Sequence, residues 1–503
     1  MNIKNKLEDY IENKVFINSD DIELKNKDKY EQFYTPDNVA NYMASMFNDY
    51  NKSSIEILDA GGGLGSLTYN LVMNLIQRSS VKKIKVIIYE IDDTIIPYLE
   101  KNMYKLQDIC NRNKVNLNVD IKNEDFIYES IKGIRKGNSS KFDYVIMNPP
   151  YKKMHNGSMH KLELKNIGLD VSNYYAAFVL LGCKLLKSKG EIVAITPRSF
   201  CNGAYFNKFR EELLNNVYFN KIHLFESRKD VFNKENILQE TIIYHCIKDK
   251  LKNNLKVQVY HSSDSIFNDL EREEVLHKDL IYGKNLVVRV SKSEEDKEII
   301  QNMMRLRNTL EDIGIEVSTG PIVDFREDVN VLYRDEDIQG LSPLIYPEHI
   351  MNREIIWPVN DFKKYNFILE NDTNHNRLRP NGNYVLVKRM SSKEEKRRIV
   401  SAIYEFIDNN IESVGFDNKL NYYHQNREGM DINLAKGLCI YLNSTFVDLY
   451  FRTFSGSTQV NVGDLKMLRY PSIDILMELG QFYENVLSNQ DNIDELIETI
   501  VFN

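Results

Sequence analysis

Ile57-Leu58-Asp59-Ala60-Gly61-Gly62-Gly63-Leu64-Gly65 reads as a buried strand that runs into a glycine turn and then into a helix starting near Leu64. Bare glycine backbone lets a ligand press close, and in open α/β sheets ligands sit at the carboxyl ends of strands, so this first turn is the expected place for one. The acid before the glycines separates the candidates. A carboxylate at Asp59 repels a pyrophosphate and suits a ligand with a cationic amino-acid end. The plain alternative is a tight turn that holds nothing.

Working outward, the next strand ends Ile88-Tyr89-Glu90-Ile91-Asp92, which puts Glu90 at the same sheet edge, where a carboxylate can accept both hydroxyls of a ribose and Ile91 can lie against a purine ring. The third strand leads into Asn123-Glu124-Asp125-Phe126, where Asp125 can accept from an exocyclic amine and Phe126 can stack. Taken singly, an acid after a strand is more often a helix cap. Three at successive strand ends form a pattern. The sharpest signal is Phe142-Asp143-Tyr144-Val145-Ile146-Met147-Asn148-Pro149-Pro150-Tyr151, a strand that stops at an Asn followed by two prolines. Prolines donate no backbone hydrogen bond and fix φ, so the loop is rigid and leaves the Pro149 carbonyl as an acceptor. With the Asn148 side-chain oxygen as a second acceptor and Tyr151 as an aromatic plate, it describes a pocket for an amine on a planar ring. A strand-ending turn with a surface Tyr is the bland reading.

An amine on a heteroaromatic ring is a poor nucleophile, because its lone pair is delocalised. Two fixed acceptors on its N–H groups favour a pyramidal nitrogen and stabilise the positive charge that grows as it attacks a methyl sulfonium. The ammonium product is acidic enough to lose its proton to water, so no catalytic His is required.

The 503 residues, 42% of them apolar and 11% aromatic, can bury a large core and suit two or more domains. No apolar run reaches 18 residues, so nothing is long enough to span a bilayer. Met1–Tyr10 mixes lysines with acids, unlike a secretory signal or transit peptide, which places the chain in the cytoplasm. The five cysteines are odd in number and widely spaced, indicating neither a disulfide framework nor a metal site. The net charge of −8 is uneven: residues 471–503 hold seven acids and no Lys or Arg, whereas residues 371–400 hold eight Lys or Arg against three acids, a surplus able to meet phosphates. Residues 37–246 alternate β-rich runs with helical patterns, as βαβ units and a mainly parallel sheet do. Thr35 can cap a first helix that buries Val39, Ala40, Met43, Met46 and Phe47, and strands are expected at 55–58, 84–89, 115–121, 142–147 and 191–196. Past about Lys250 the rhythm gives way to short strands, proline turns and C-terminal helices.

In this order, Gln32-Phe33-Tyr34-Thr35-Pro36, the Asp59 to Gly65 turn, Tyr89 to Asp92, Asn123 to Phe126 and Asn148 to Tyr151 resemble the gamma-class DNA adenine-N6 methyltransferases of type II restriction-modification systems, over most of the chain. The resemblance implies a Rossmann-like α/β catalytic domain over 1–285, with S-adenosylmethionine as cofactor, and a mixed α+β target-recognition domain with C-terminal helices over 286–503. Carried over by position, Thr35 would meet the cofactor carboxylate, Asp59, Gly61 and Gly63 its amino-acid end, Glu90 the ribose, and Ile91, Asp125 and Phe126 the adenine. Asn148 would line the cofactor site as well. Asn148 and Pro149, with Pro150 stiffening the loop, would bind the target N6 amine. Tyr151 would stack on the base, with Phe232 on its other side or else in the core. Such a pocket requires the target base to be flipped out of double-stranded DNA.

Three further stretches look like recurring segments of that family: Val317 to Gly320 with Asp324-Phe325-Arg326, Lys388 to Lys393 with Arg397-Arg398, and Gly456 to Asn461. Arg326, Lys388, Arg389, Arg397, Arg398, Ser457 and Thr458 are the candidate DNA contacts, since such side chains suit phosphates and guanine edges; surface ion pairs are the alternative for each Arg. Only about 30 residues precede the Thr35-Pro36 motif, which argues against a fused nuclease. The chain is expected to act as a monomer on double-stranded DNA, either beside a separate cognate restriction endonuclease or in an orphan epigenetic role. Gly62 stands where some relatives carry a side chain. Competing readings are a methyltransferase acting on rRNA or on a protein glutamine, and an inactive methyltransferase fold that only binds DNA.

Overall fold

The computed structural model describes residues 16–19, 34–48, 52–225, 241–251, 253–290, 294–335, 339–392, 395–407, 410–455 and 458–502. They divide into two compact units, Met1–Val290 and Ser291–Asn503.

The first unit is wound on a nine-stranded sheet of order β3-β2-β1-β4-β5-β7-β6-β8-β9. β1 (Ser54–Ala60), β2 (Lys83–Tyr89), β3 (Asn116–Lys122), β4 (Phe142–Met147) and β5 (Leu186–Pro197) are mutually parallel. β6 (Tyr218–Phe225), β7 (Thr241–Ile247), β8 (Lys256–Ser262) and β9 (Glu271–Leu276) extend the sheet, with β7 antiparallel to both β5 and β6. β1, β4 and β5 are almost continuously buried, as expected of strands covered on both faces. The strand order reverses between β1 and β4, and that switch point is where such sheets leave a crevice.

Around the sheet run α1 (Asp37–Ser45), α2 (Ser66–Arg78), α3 (Ile96–Arg112), α4 (Phe126–Arg135), α5 (Met159–Lys165), α6 (Tyr174–Leu185) and α7 (Asn207–Asn216). α2 begins at Ser66, two residues later than the sequence suggests, because Gly65 turns the chain with φ of +85°. α1 is capped by Pro36 without a side-chain cap, so the hydroxyl of Thr35 is not spent on the helix. The apolar stretch 174–183 is a core helix. Nine of the twelve α6 residues are buried, and among the described residues no helix is long and apolar enough to cross a membrane. All five cysteines are buried thiols.

The second unit holds a four-stranded antiparallel sheet of Glu316–Thr319, Leu420–His424, Tyr384–Lys388 and Ser401–Tyr404. A five-stranded mixed sheet is centred on Leu341–Ile345, with Ser413–Phe416 as its parallel neighbour. Helices Ile432–Leu442, Thr445–Phe454 and Ile473–Gly480 pack with the first sheet in one apolar core. Two of them meet backbone to backbone, since a Cβ on Gly437 would fall 1.7 Å from the Leu476 carbonyl oxygen and one on Gly480 2.0 Å from that of Asn433. Only glycine permits so close a crossing.

Candidate active site

The carboxyl ends of β1, β2 and β3 are laced together. The N–H groups of Gly61 and Gly62 both donate to the Tyr89 carbonyl at 2.9 Å, the Glu90 N–H donates to Lys122, and the Asn123 side chain donates to the Glu90 carbonyl at 2.9 Å. Asp59 and Glu90, far apart in sequence, thereby share one edge. A Cβ on Gly62 would meet Ile88 Cγ2 at 2.2 Å. Glycine at position 62 is therefore set by the fit of this turn against β2.

Asp59 is fully buried. Its Oδ2 accepts from the Thr68 hydroxyl at 2.7 Å, while Oδ1 has no hydrogen-bond partner among the described residues. Burial pushes its carboxyl up to about 7, against the lowering pull of Thr68 and with some help from the charge of Glu90. Such a group binds a cation readily, because a positive charge restores the ionised form. Glu90, also buried, is raised by burial and held back by hydrogen bonds that its Oε1 accepts from Asp92 N–H and its Oε2 from Gly63 N–H, each 2.8 Å. Ile91 beside it is exposed.

Asp125 caps α4, with Oδ1 accepting from the N–H groups of Ile127 at 2.8 Å and Tyr128 at 3.2 Å. Its Oδ2 lies 2.9 Å from His160 Nε2. Burial raises this carboxyl, but the His160 hydrogen bond and charge outweigh it and hold it below the ordinary range. Phe126 is buried between Tyr89 and Phe178, with ring centroids at 5.4 and 5.0 Å.

At the end of β4, the Asn148 Nδ2 donates to Thr35 Oγ1 at 3.1 Å. The hydroxyl expected to cap α1 instead fixes which end of this amide is the acceptor. Pro149 is buried and Pro150 half-buried. Tyr151 packs inward, 7% exposed, with its ring edge-on to Tyr175 at 6.4 Å. Phe232 lies outside the described residues, as do Gln32 and Phe33.

In the second unit, the three stretches singled out by sequence converge. Ser391 N–H donates to the Thr458 carbonyl, Val460 N–H to that of Arg389, Arg389 N–H to that of Lys419, and Gly320 N–H to that of Leu420. Arg326 and Thr458 are exposed and Lys388 is half-buried. Arg389 donates to the Asn418 carbonyl at 3.1 Å, and Arg397 to that of Ser444 at 2.6 Å. Arg398 corrects the expectation of a DNA contact. Its side chain is 1% exposed, bonded to Ser391 and the Ser455 carbonyl and set over the Phe451 ring, so it reaches no phosphate. Ser457 lies outside the described residues. Sequence reasoning missed Thr68, which the first turn of α2 swings back over Asp59, and His160, which no motif marks.

Comparison with known proteins bears on this geometry. The Eco57I restriction-modification methylase family matches residues 81–232. The chain is 41% identical over 480 residues to the type II methyltransferase M.PstI of Providencia stuartii, covering 94% of this chain and 92% of that one. It is 37% identical over 490 residues to the type II methyltransferase M.BsuBI of Bacillus subtilis, covering 95% of each. Among solved structures, a nuclease-deletion mutant of the Type ISP restriction-modification enzyme LlaGI, in complex with a DNA substrate mimic, shares the fold with a TM-score of 0.52 at 12% identity. It covers 92% of this chain, which spans 56% of the LlaGI chain.

Proposed function

Because the chain belongs to the type II restriction-modification methyltransferases, we propose that it transfers a methyl group from S-adenosylmethionine to the N6 amine of an adenine flipped out of double-stranded DNA. The observation that carries this reading is the seating of Asn148-Pro149-Pro150-Tyr151 at the β1/β4 switch point, on the sheet edge that also carries buried Asp59, whose Oδ1 has no hydrogen-bond partner among the described residues.

The side chains at these strand ends suit the cofactor chemically. Asp59 would take the α-ammonium with Thr68 holding its other oxygen, Glu90 the ribose hydroxyls, and Ile91, Asp125 and Phe126 the adenine. When bound, S-adenosylmethionine supplies an electrophilic methyl group. The chain does the rest by placing the amine. Thr35 fixes the Asn148 amide so that Oδ1 accepts one N–H while the Pro149 carbonyl accepts the other, which favours a pyramidal, nucleophilic nitrogen. The proton then leaves to water, and no histidine is needed. Tyr151, and Phe232 opposite, would hold the extruded ring. Exposed Arg326 and Thr458 with Lys388, at the corner where three stretches meet, suit the DNA backbone.

The test incubates the protein with methyl-labelled S-adenosylmethionine and unmethylated DNA, RNA and protein, and identifies the labelled unit after digestion. N6-methyladenine from DNA is expected. Label in RNA, in protein or on cytosine overturns the reading.

A further inference from the structure

We infer that His160 is a positioning residue for the cofactor's adenine, acting through Asp125; the inference rests on the cofactor reading above. His160 lies in the first turn of α5, the helix that follows the catalytic loop, yet its side chain reaches across to the cap of α4. Nε2 sits 2.9 Å from Asp125 Oδ2, Nδ1 lies 3.2 Å from the Tyr174 hydroxyl, and the ring leans on Tyr128 with centroids 4.4 Å apart. The two helices are tied a second time by Arg135 and Glu163 at 2.7 Å.

This clamp decides what Asp125 can do. The helix cap engages Oδ1 twice and leaves Oδ2 as the oxygen able to receive a ligand. With Oδ1 alone held, the carboxylate can still rock about those two hydrogen bonds and offer Oδ2 over a range of directions. His160 donates to Oδ2 on one side and leaves its remaining acceptor direction for one further donor. The exocyclic amine of adenine is a donor, and the carbonyl of hypoxanthine in its place is an acceptor that a carboxylate repels. An oriented Asp125 therefore discriminates between the two rings, and His160, held in turn by Tyr174, sets the orientation. Because α5 directly follows the loop carrying Asn148 and Tyr151, the same contact ties the target side of the site to the cofactor side.

The experiment titrates the full-length chain with S-adenosylhomocysteine and with S-inosylhomocysteine, comparing wild type with His160→Ala, His160→Gln and Tyr174→Phe. Wild type should prefer the adenosyl compound. His160→Ala should weaken it about five- to tenfold, about the worth of one ordinary hydrogen bond, and compress the preference by the same factor. His160→Gln, whose amide can still donate, should restore most of the preference, and Tyr174→Phe should shift it the same way by less. Unaltered affinity and preference in His160→Ala overturns the inference and leaves the cofactor reading standing. A weakening of both compounds alike, not rescued by Gln, also overturns it, since that marks support of the fold alone. Failure of wild type to bind S-adenosylhomocysteine overturns the cofactor reading itself.

Discussion

The carboxyl edge of the first sheet and the basic corner of the second unit are both assembled from stretches distant in sequence, but their charged residues meet different fates. At the sheet edge, Asp59 is buried with one oxygen unpartnered among the described residues. At the corner, most of the arginines are already spent on the chain itself: Arg389 and Arg397 on carbonyls, and Arg398 inside the core. A parallel sheet forces its strand ends to one side, so acids there face a shared crevice whatever the loops do. A corner of short strands and turns has carbonyls left over, and guanidinium groups satisfy them.

Substitutions at the two regions should accordingly fail in different ways. The largest effect is expected from Asn148→Ala, which should lower single-turnover methyl transfer by about 100-fold or more while changing cofactor affinity little, because the acceptor acts mainly as charge develops. Comparable turnover in the variant would break the assignment of the site. Next, Arg398→Ala should destabilise the protein by about 2–4 kcal/mol through a cavity and stranded polar partners, read as a lower midpoint of denaturant unfolding. A folded variant of native stability with weakened DNA binding would return Arg398 to the DNA surface.

Asp59 yields a pH prediction of definite sign. Its carboxyl is raised to about 7 by burial, so its contribution to stability is fully present in acid and is lost as pH rises through 7. Asp59→Asn should therefore raise the melting temperature of the cofactor-free protein at pH 8, by about 2–4 °C for each kcal/mol gained, while weakening the cofactor. A cationic ligand selects the ionised form, so wild-type cofactor affinity should fall as pH drops below about 7, with proton release in calorimetry at pH 6. Affinity flat from pH 5.5 to 8 would remove Asp59 from the ammonium site. The smallest effect separates the corner's surface from its scaffold: Lys388→Ala should reduce the slope of log affinity against log salt by about one, and an unchanged slope would make it a solvated side chain.

Much of the first unit was legible in sequence because its chemistry lies at strand ends. Phe142–Met147 was expected residue for residue, and the four other expected strands lie within β1, β2 and β5 or overlap β3 with a one-residue offset. By local rule the Thr35 hydroxyl suits a helix cap, but it is a partner of Asn148, a contact over 113 residues that overrides the cap and leaves the expected role at the cofactor carboxylate untouched. Asp125 is a cap, as an acid after a strand usually is, but also half of a pair with His160 that spans 35 residues and leaves no local trace. In the second unit, composition showed a basic stretch without showing which side chains face outward. Burial of Arg398 depends on where Ser391, Phe451 and Ser455 come together, and nothing in the spacing encodes that.

The most direct test of the central claim is nucleoside mass spectrometry, with mapping of the modified positions, on DNA from cells lacking other methyltransferases and expressing either the wild-type chain or Asn148→Ala. N6-methyladenine at one defined sequence with the wild type, and none with the variant, is the predicted result. Methylated cytosine, or methyladenine undiminished in the variant, would contradict it.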